Sequence, residues 1–160
     1  MNDKSRLKTV VERSYRAHPK ELWKLWTTKE GFESWWGPEG FRAHVYTIEA
    51  REGGRLHYDM IAATPQMVEA MSQMGRPPSH ETRGQFAEFK PYERLTLVHL
   101  IDFLPGVKPY DSTIVVHFTP SGELVRMVVT LHPMHDKEFS TMQVQGFTSQ
   151  LTKLDRRFSN

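Results

Sequence analysis

Residues 136–158 read DKEFSTMQVQGFTSQLTKLDRRF, and this stretch decides the fold. Phe139, Gln143, Phe147, Leu151, Leu154 and Phe158 recur at helical spacing and share one face. Ser149, Gln150, Lys153 and Arg157 turn elsewhere on the same reading. A long helix with one apolar stripe needs a surface to bury it against. The chain upstream is mostly short and strand-like, so that surface is a sheet.

Working outward, the residues before the helix form a run of strands with two interruptions. Residues 7–16 (LKTVVERSYR) are β-branched and of mixed polarity, and they stop at His18-Pro19, where proline opens a helix. Leu22, Leu25 and Trp26, then Phe32, Trp35 and Trp36, recur at helical spacing on either side of Thr27-Thr28, which predicts two short helices ending at Gly37-Pro38. Strands are predicted over 41–51 and 55–62 around Glu52-Gly53-Gly54, over 82–89 and 94–103 around Lys90-Pro91-Tyr92-Glu93, and over 112–118 and 125–131 around Thr119-Pro120-Ser121-Gly122. Between the second and third of these strands, residues 64–79 change character. Thr64 caps, Pro65 suits the first helical position, and Met67, Met71 and Met74 follow at helical spacing before Gly75-Arg76-Pro77-Pro78.

No repeat, low-complexity tract or linker divides the 160 residues, so one α+β domain is expected over 1–160 with a Met-rich helical insertion at about 64–79. At this length roughly 70% of the unfolded surface can be buried, enough for a core with an internal hollow. Lys plus Arg number 21 against 19 Asp plus Glu, interspersed, and this balance argues against a nucleic-acid partner. The absence of cysteine removes disulfides, thiolate metal sites and cysteine nucleophiles, which fits a cytoplasmic location. No segment reaches the ~20 apolar residues needed to span a bilayer, and the N-terminus lacks the apolar run of a signal peptide.

Candidate chemistry is sparse. Matching the apolar faces of the last two strands turns Ile114, Val116, Phe118, Val125, Met127, Val129 and Leu131 inward and His117 outward. His99 shares parity with Leu95, Leu97, Ile101 and Phe103, so an imidazole stands on an apolar inner face. A core histidine with a satisfied hydrogen bond is the plainer account of it. His99 is the one candidate for a catalytic group, and no catalytic residue is assigned. His132-Pro133-Met134-His135-Asp136 offers metal-ligating types but reads as a strand-to-helix loop, so no metal is expected. Glu49, Asp59, Glu88 and Asp102 read as solvated or arginine-paired carboxylates, with Arg51, Arg55 and Arg83 in reach. No G-x-S-x-G elbow, P-loop, dinucleotide fingerprint or H-E-x-x-H occurs.

Four motifs in order carry a family likeness: Trp35-Trp36-Gly37-Pro38, the run 49–55 (EAREGGR), Pro91-Tyr92-Glu93-Arg94-Leu95, and Gly146-Phe147. The chain resembles the SRPBCC superfamily, which includes the START and birch-pollen-allergen helix-grip folds, and within it the heat-shock-protein ATPase activator C-terminal type. Glu49 stands where such sequences often have Asp, Phe147 where they often have Trp, and the Met-rich stretch replaces a shorter hairpin. The resemblance implies a curved antiparallel sheet of six to seven strands around the C-terminal helix, with a cavity between them. The candidate ligand-binding residues are Trp35, Trp36, Phe41, Tyr58, Met60, Phe86, His99, Phe103, Met127, Gln143 and Phe147, with Tyr58, His99 and Gln143 as polar anchors. Taken singly, each aromatic is as well explained by filling the core.

The expected function is therefore binding of a small apolar or aromatic ligand without a cofactor. A cofactor-free cyclase or hydrolase using the same cavity is the first alternative, and a chaperone-associated module the second. The Met-rich helix reads equally as a lid, a satellite core or a homodimer contact.

Overall fold

A computed structural model describes residues 7–159. Seven strands form one antiparallel sheet in the order β1-β7-β6-β5-β4-β3-β2. They are β1 (Thr9–Arg16), β2 (Phe41–Ile48), β3 (Arg55–Ala62), β4 (Ser79–Lys90), β5 (Arg94–Ile101), β6 (Tyr110–Ser121) and β7 (Leu124–Leu131). Helices α1 (Pro19–Thr27) and α2 (Lys29–Glu33) carry the chain from β1 to β2, at the opposite edge. Helix α3 (Pro65–Gln73) interrupts β3 and β4, and α4 (Lys137–Arg157) closes the helix-grip fold.

Local chemistry sets these boundaries. His18 caps α1 by accepting from Lys20 N–H, and Pro19 opens it. Thr64 caps α3 by accepting from Met67 N–H. Gly75, at φ +71°, ends α3 in a Schellman turn in which Gly75 N–H donates to Ser72 O and Arg76 N–H to Met71 O. That turn stops the helix well short of residue 79, and Ser79 already belongs to β4. In the 49–55 motif Glu49 accepts from the backbone N–H and the Nε of Arg55, closing the turn between β2 and β3. A side chain on Gly54 would stand 1.9 Å from Glu49 O, so the turn requires glycine.

The register of β6 against β7 pairs Phe118 with Met127, Val116 with Val129 and Ile114 with Leu131, and all six are buried. β5 ends at Ile101, which leaves Phe103 on the following loop instead of the strand. The core gathers where the helical elbow of α1, α2 and the turn through Trp36 meets the sheet: Trp26, Trp35 and Trp36 lie within 5.0 to 5.5 Å of one another, and Trp36 stacks on Phe32 at 4.6 Å. Trp35 Nε1–H donates to Leu25 O at 2.8 Å, so the ring is buried without an orphan donor.

Candidate functional site

Between the sheet, α3 and the N-terminal half of α4 lies a cavity of about 450 Å³. Its sheet wall is Tyr58, Met60, His80, Thr82, His99, Ile101, Ser112, Ile114 and Leu131. Met71 of α3 and Met74, which caps it, stand on one side, and Phe139, Met142, Gln143, Gly146, Phe147 and Gln150 of α4 close the top. The hollow exists because the inner face carries short side chains there. Thr82 and Ser112 are buried, and Gly84 sits opposite His99 in the β4–β5 register. His99 is likewise paired with Ser112 on its other side, so its ring occupies space that neither neighbour fills.

A polar seam runs through this apolar wall. Trp36 Nε1–H donates to the Tyr58 hydroxyl at 2.9 Å, and that hydroxyl shares a hydrogen bond with His99 Nε2 at 3.1 Å. Burial pushes the Tyr58 phenol above its ordinary range, with hydrogen bonds from Trp36 and Thr82 opposing the shift. Burial alone pushes the His99 imidazole down to about 4. The seam is thus neutral at neutral pH: phenol, indole and uncharged imidazole.

The loop after Trp36 is held in place by α4. Gly37 N–H donates to Gln150 Oε1, Glu39 N–H to Ser149 Oγ, and Lys153 Nζ to the carbonyls of Gly37 and Phe41. Glu39 receives Arg156 and Thr152 as well. Gly40, at φ +91°, lies so close to Met67 that a β-carbon would stand 2.6 Å from its Cγ, which ties this loop to α3. Loop, α3 and α4 together fix the three-sided opening.

Of the residues expected at the ligand, Trp36, Phe41, Tyr58, Met60, His99, Phe103, Gln143 and Phe147 line the cavity. Trp35, Phe86 and Met127 do not; each is at most 1% exposed within the core, because its strand or elbow position faces the packed part of the sheet. Gln150, read from the sequence as turned elsewhere, is a second correction: it is buried, lines the cavity and caps Gly37. The steps Gln143, Phe147, Gln150, Leu154 are themselves helical, so the signal was present, masked by the polarity of the amide. Small residues at inner strand positions that line it (Thr82, Ser112) were the unread sign of the hollow.

Other chemistry is accounted for locally. Glu49 pairs with Arg51 and Arg55, and Glu88 with Arg94. His135 bonds Tyr110 through Nδ1 and faces Asp136 through Nε2. Among the described residues no group of three or more His, Cys, Asp or Glu is placed to hold a metal ion. A larger cleft, about 1090 Å³, lies at the other end of the sheet. Its charged residues include Arg16 paired with Glu123 and Arg94 paired with Glu88, and its walls are less apolar than those of the cavity under α4. Among the described residues no helix is long and apolar enough to cross a membrane.

Comparison with known proteins bears on the whole fold. A protein of Chromobacterium violaceum aligns with a TM-score of 0.74 and 16% identity, covering 96% of this chain and 99% of that one. The AHSA1 protein of Silicibacter pomeroyi aligns with a TM-score of 0.73 and 20% identity over 94% and 96% of the two chains. CalU16 of Micromonospora echinospora aligns at 0.61 and 16%, covering 95% of this chain and 76% of its own. These likenesses describe a shared fold. No protein of curated function matches the chain. The family described as Activator of Hsp90 ATPase homolog 1-like protein matches residues 16–159, which hold strands β2 to β7 and all four helices. The chain belongs to that family.

Proposed function

We propose that this protein binds a small, largely apolar molecule in the cavity beneath α4. The observation that carries the reading is a hollow of about 450 Å³, within the roughly 300 to 1,000 Å³ typical of ligand sites. Apolar and aromatic side chains wall it, and one neutral Trp36–Tyr58–His99 seam supplies orientation. An enzyme using the same cavity would need a base facing the substrate. His99, with its imidazole held near 4 by burial, is a weak base at neutral pH, which favours binding over proton abstraction. The family description also speaks of a chaperone ATPase activator, a role that the family alone supports for this chain; a pull-down with Hsp90 tests it.

The test of the binding reading is uptake of a neutral apolar fluorophore such as Nile red by the wild type and by Gly146→Leu. Gly146 lines the cavity, and a β-carbon there meets only Pro38 Cγ at 3.6 Å, an ordinary contact, so leucine fits the helix and projects into the hollow. Wild type is expected to take up the dye with a blue-shifted emission and the variant, still folded by circular dichroism, to lose it. Failure of the wild type to take up the dye, together with no copurified molecule in native mass spectrometry, defeats the reading.

A further inference from the structure

The lining of the cavity carries an asymmetry of charge. Arg76 stands at its rim, half-buried, and it is the single charged side chain that lines it; no Asp, Glu or Lys does. Among the described residues Arg76 has no carboxylate within ion-pair distance, whereas arginines elsewhere on the sheet, such as Arg55, Arg83, Arg94 and Arg126, are paired. Its backbone is held by the Schellman turn that ends α3, which keeps the residue on the cavity lining together with Met74. Next to it His80 stacks on Phe103 at 4.3 Å, and burial first, with the Arg76 charge second, holds the His80 imidazole below its ordinary value. The one carboxylate that acts on His80 in the opposite sense, Asp59, points to the outer face of β3, where it accepts from the Tyr46 hydroxyl at 2.5 Å.

An unpaired guanidinium over an apolar hollow presents a planar fork of donors suited to an oxyanion, and nothing in the lining would compensate a ligand cation. Resting on the binding function proposed above, we infer that the ligand is an amphipathic anion: its apolar body lies among Met71, Phe103 and Phe147, and its acid group meets Arg76 at the rim.

The experiment compares dodecanoate, dodecanol and dodecylammonium by isothermal titration calorimetry with wild type, Arg76→Gln and Arg76→Lys. A charge-assisted hydrogen bond at a partly exposed rim predicts that dodecanoate binds about tenfold more tightly than dodecylammonium. Arg76→Gln should remove most of that preference while changing dodecanol affinity less than about twofold, and Arg76→Lys should retain part of it. Equal affinity for the two charged probes, or an equal loss of dodecanol and dodecanoate binding in Arg76→Gln, overturns the anion reading and leaves the cavity reading standing. Binding of none of the three by the wild type overturns both.

Discussion

The two halves of α4 carry the same kind of stripe and do different things with it. From Leu151 to Leu154 the helix is sealed, both leucines being fully buried, and Phe147 marks the boundary: it lines the cavity on one side and lies about 6 Å from the rings of Trp26, Trp35 and Trp36 on the other. Past this stretch, Tyr15 donates to Asp155 and packs on Phe158 at 5.1 Å, tying the helix end to β1. From Phe139 to Gly146 the helix stands over the hollow, with Met142 46% exposed and Phe139 and Gln143 half-buried. An amphipathic stripe therefore states that a helix faces an apolar surface, and the residues opposite decide whether side chains meet it. Tryptophans meet the helix from Phe147 on; Thr82, Ser112 and the His99 ring line the hollow under the other half.

The largest effect that would break this contrast lies at the sealed end. Trp35→Ala should cost about 3 to 5 kcal/mol, the range for truncating a buried large aromatic, and it also strands the Leu25 carbonyl that Trp35 caps. An unchanged urea midpoint would show that the elbow does not pack as described. Within α4 itself, Leu151→Ala should cost about 3 kcal/mol and Met142→Ala less than about 0.5. Equal losses at the two positions would erase the distinction between the halves.

A third expectation concerns acid. An unfolded histidine titrates near 6.5, above the value of about 4 that burial gives His99. Between those values the unfolded chain binds more protons, so the stability tied to neutral His99 is fully present above pH ~6.5 and is lost as pH falls towards ~4. The loss is of the order of 3 kcal/mol at most, added to contributions of the same sign from His80 and His132, whose imidazoles burial also holds low. Urea midpoints at about pH 7.5 and pH 4.5 should converge more in His99→Phe than in the wild type. The same acid loss in both proteins would place His99 in contact with solvent.

Much of this was legible in advance because it is periodic. The inward set of β6 and β7, the cap and proline of α3, the inner parity of His99 and the stripe of α4 follow from spacings of two and of three to four residues, which backbone geometry imposes whatever surrounds them. The stop of α3 at Gly75 was legible from its glycine and prolines, whereas the end of β5 before Phe103 was not.

The sequence by itself determined most of the side chains that turn inward and that a long helix must cover a sheet, because apolar burial and strand pleat act locally along the chain; the curvature of that sheet came only from the family likeness. Only the tertiary structure decided which inward residues touch one another and which face a void. Trp35, Phe86 and Met127 are as apolar as Trp36, Phe103 and Met60, yet the first three pack solidly and the second three line the cavity. Gln150 falls on the helical spacing of the stripe, but that its polar amide is buried there depends on Gly37 N–H, 113 positions away, which donates to it. Packing depends on what arrives from distant parts of the chain, and spacing along one strand or helix carries no information about it.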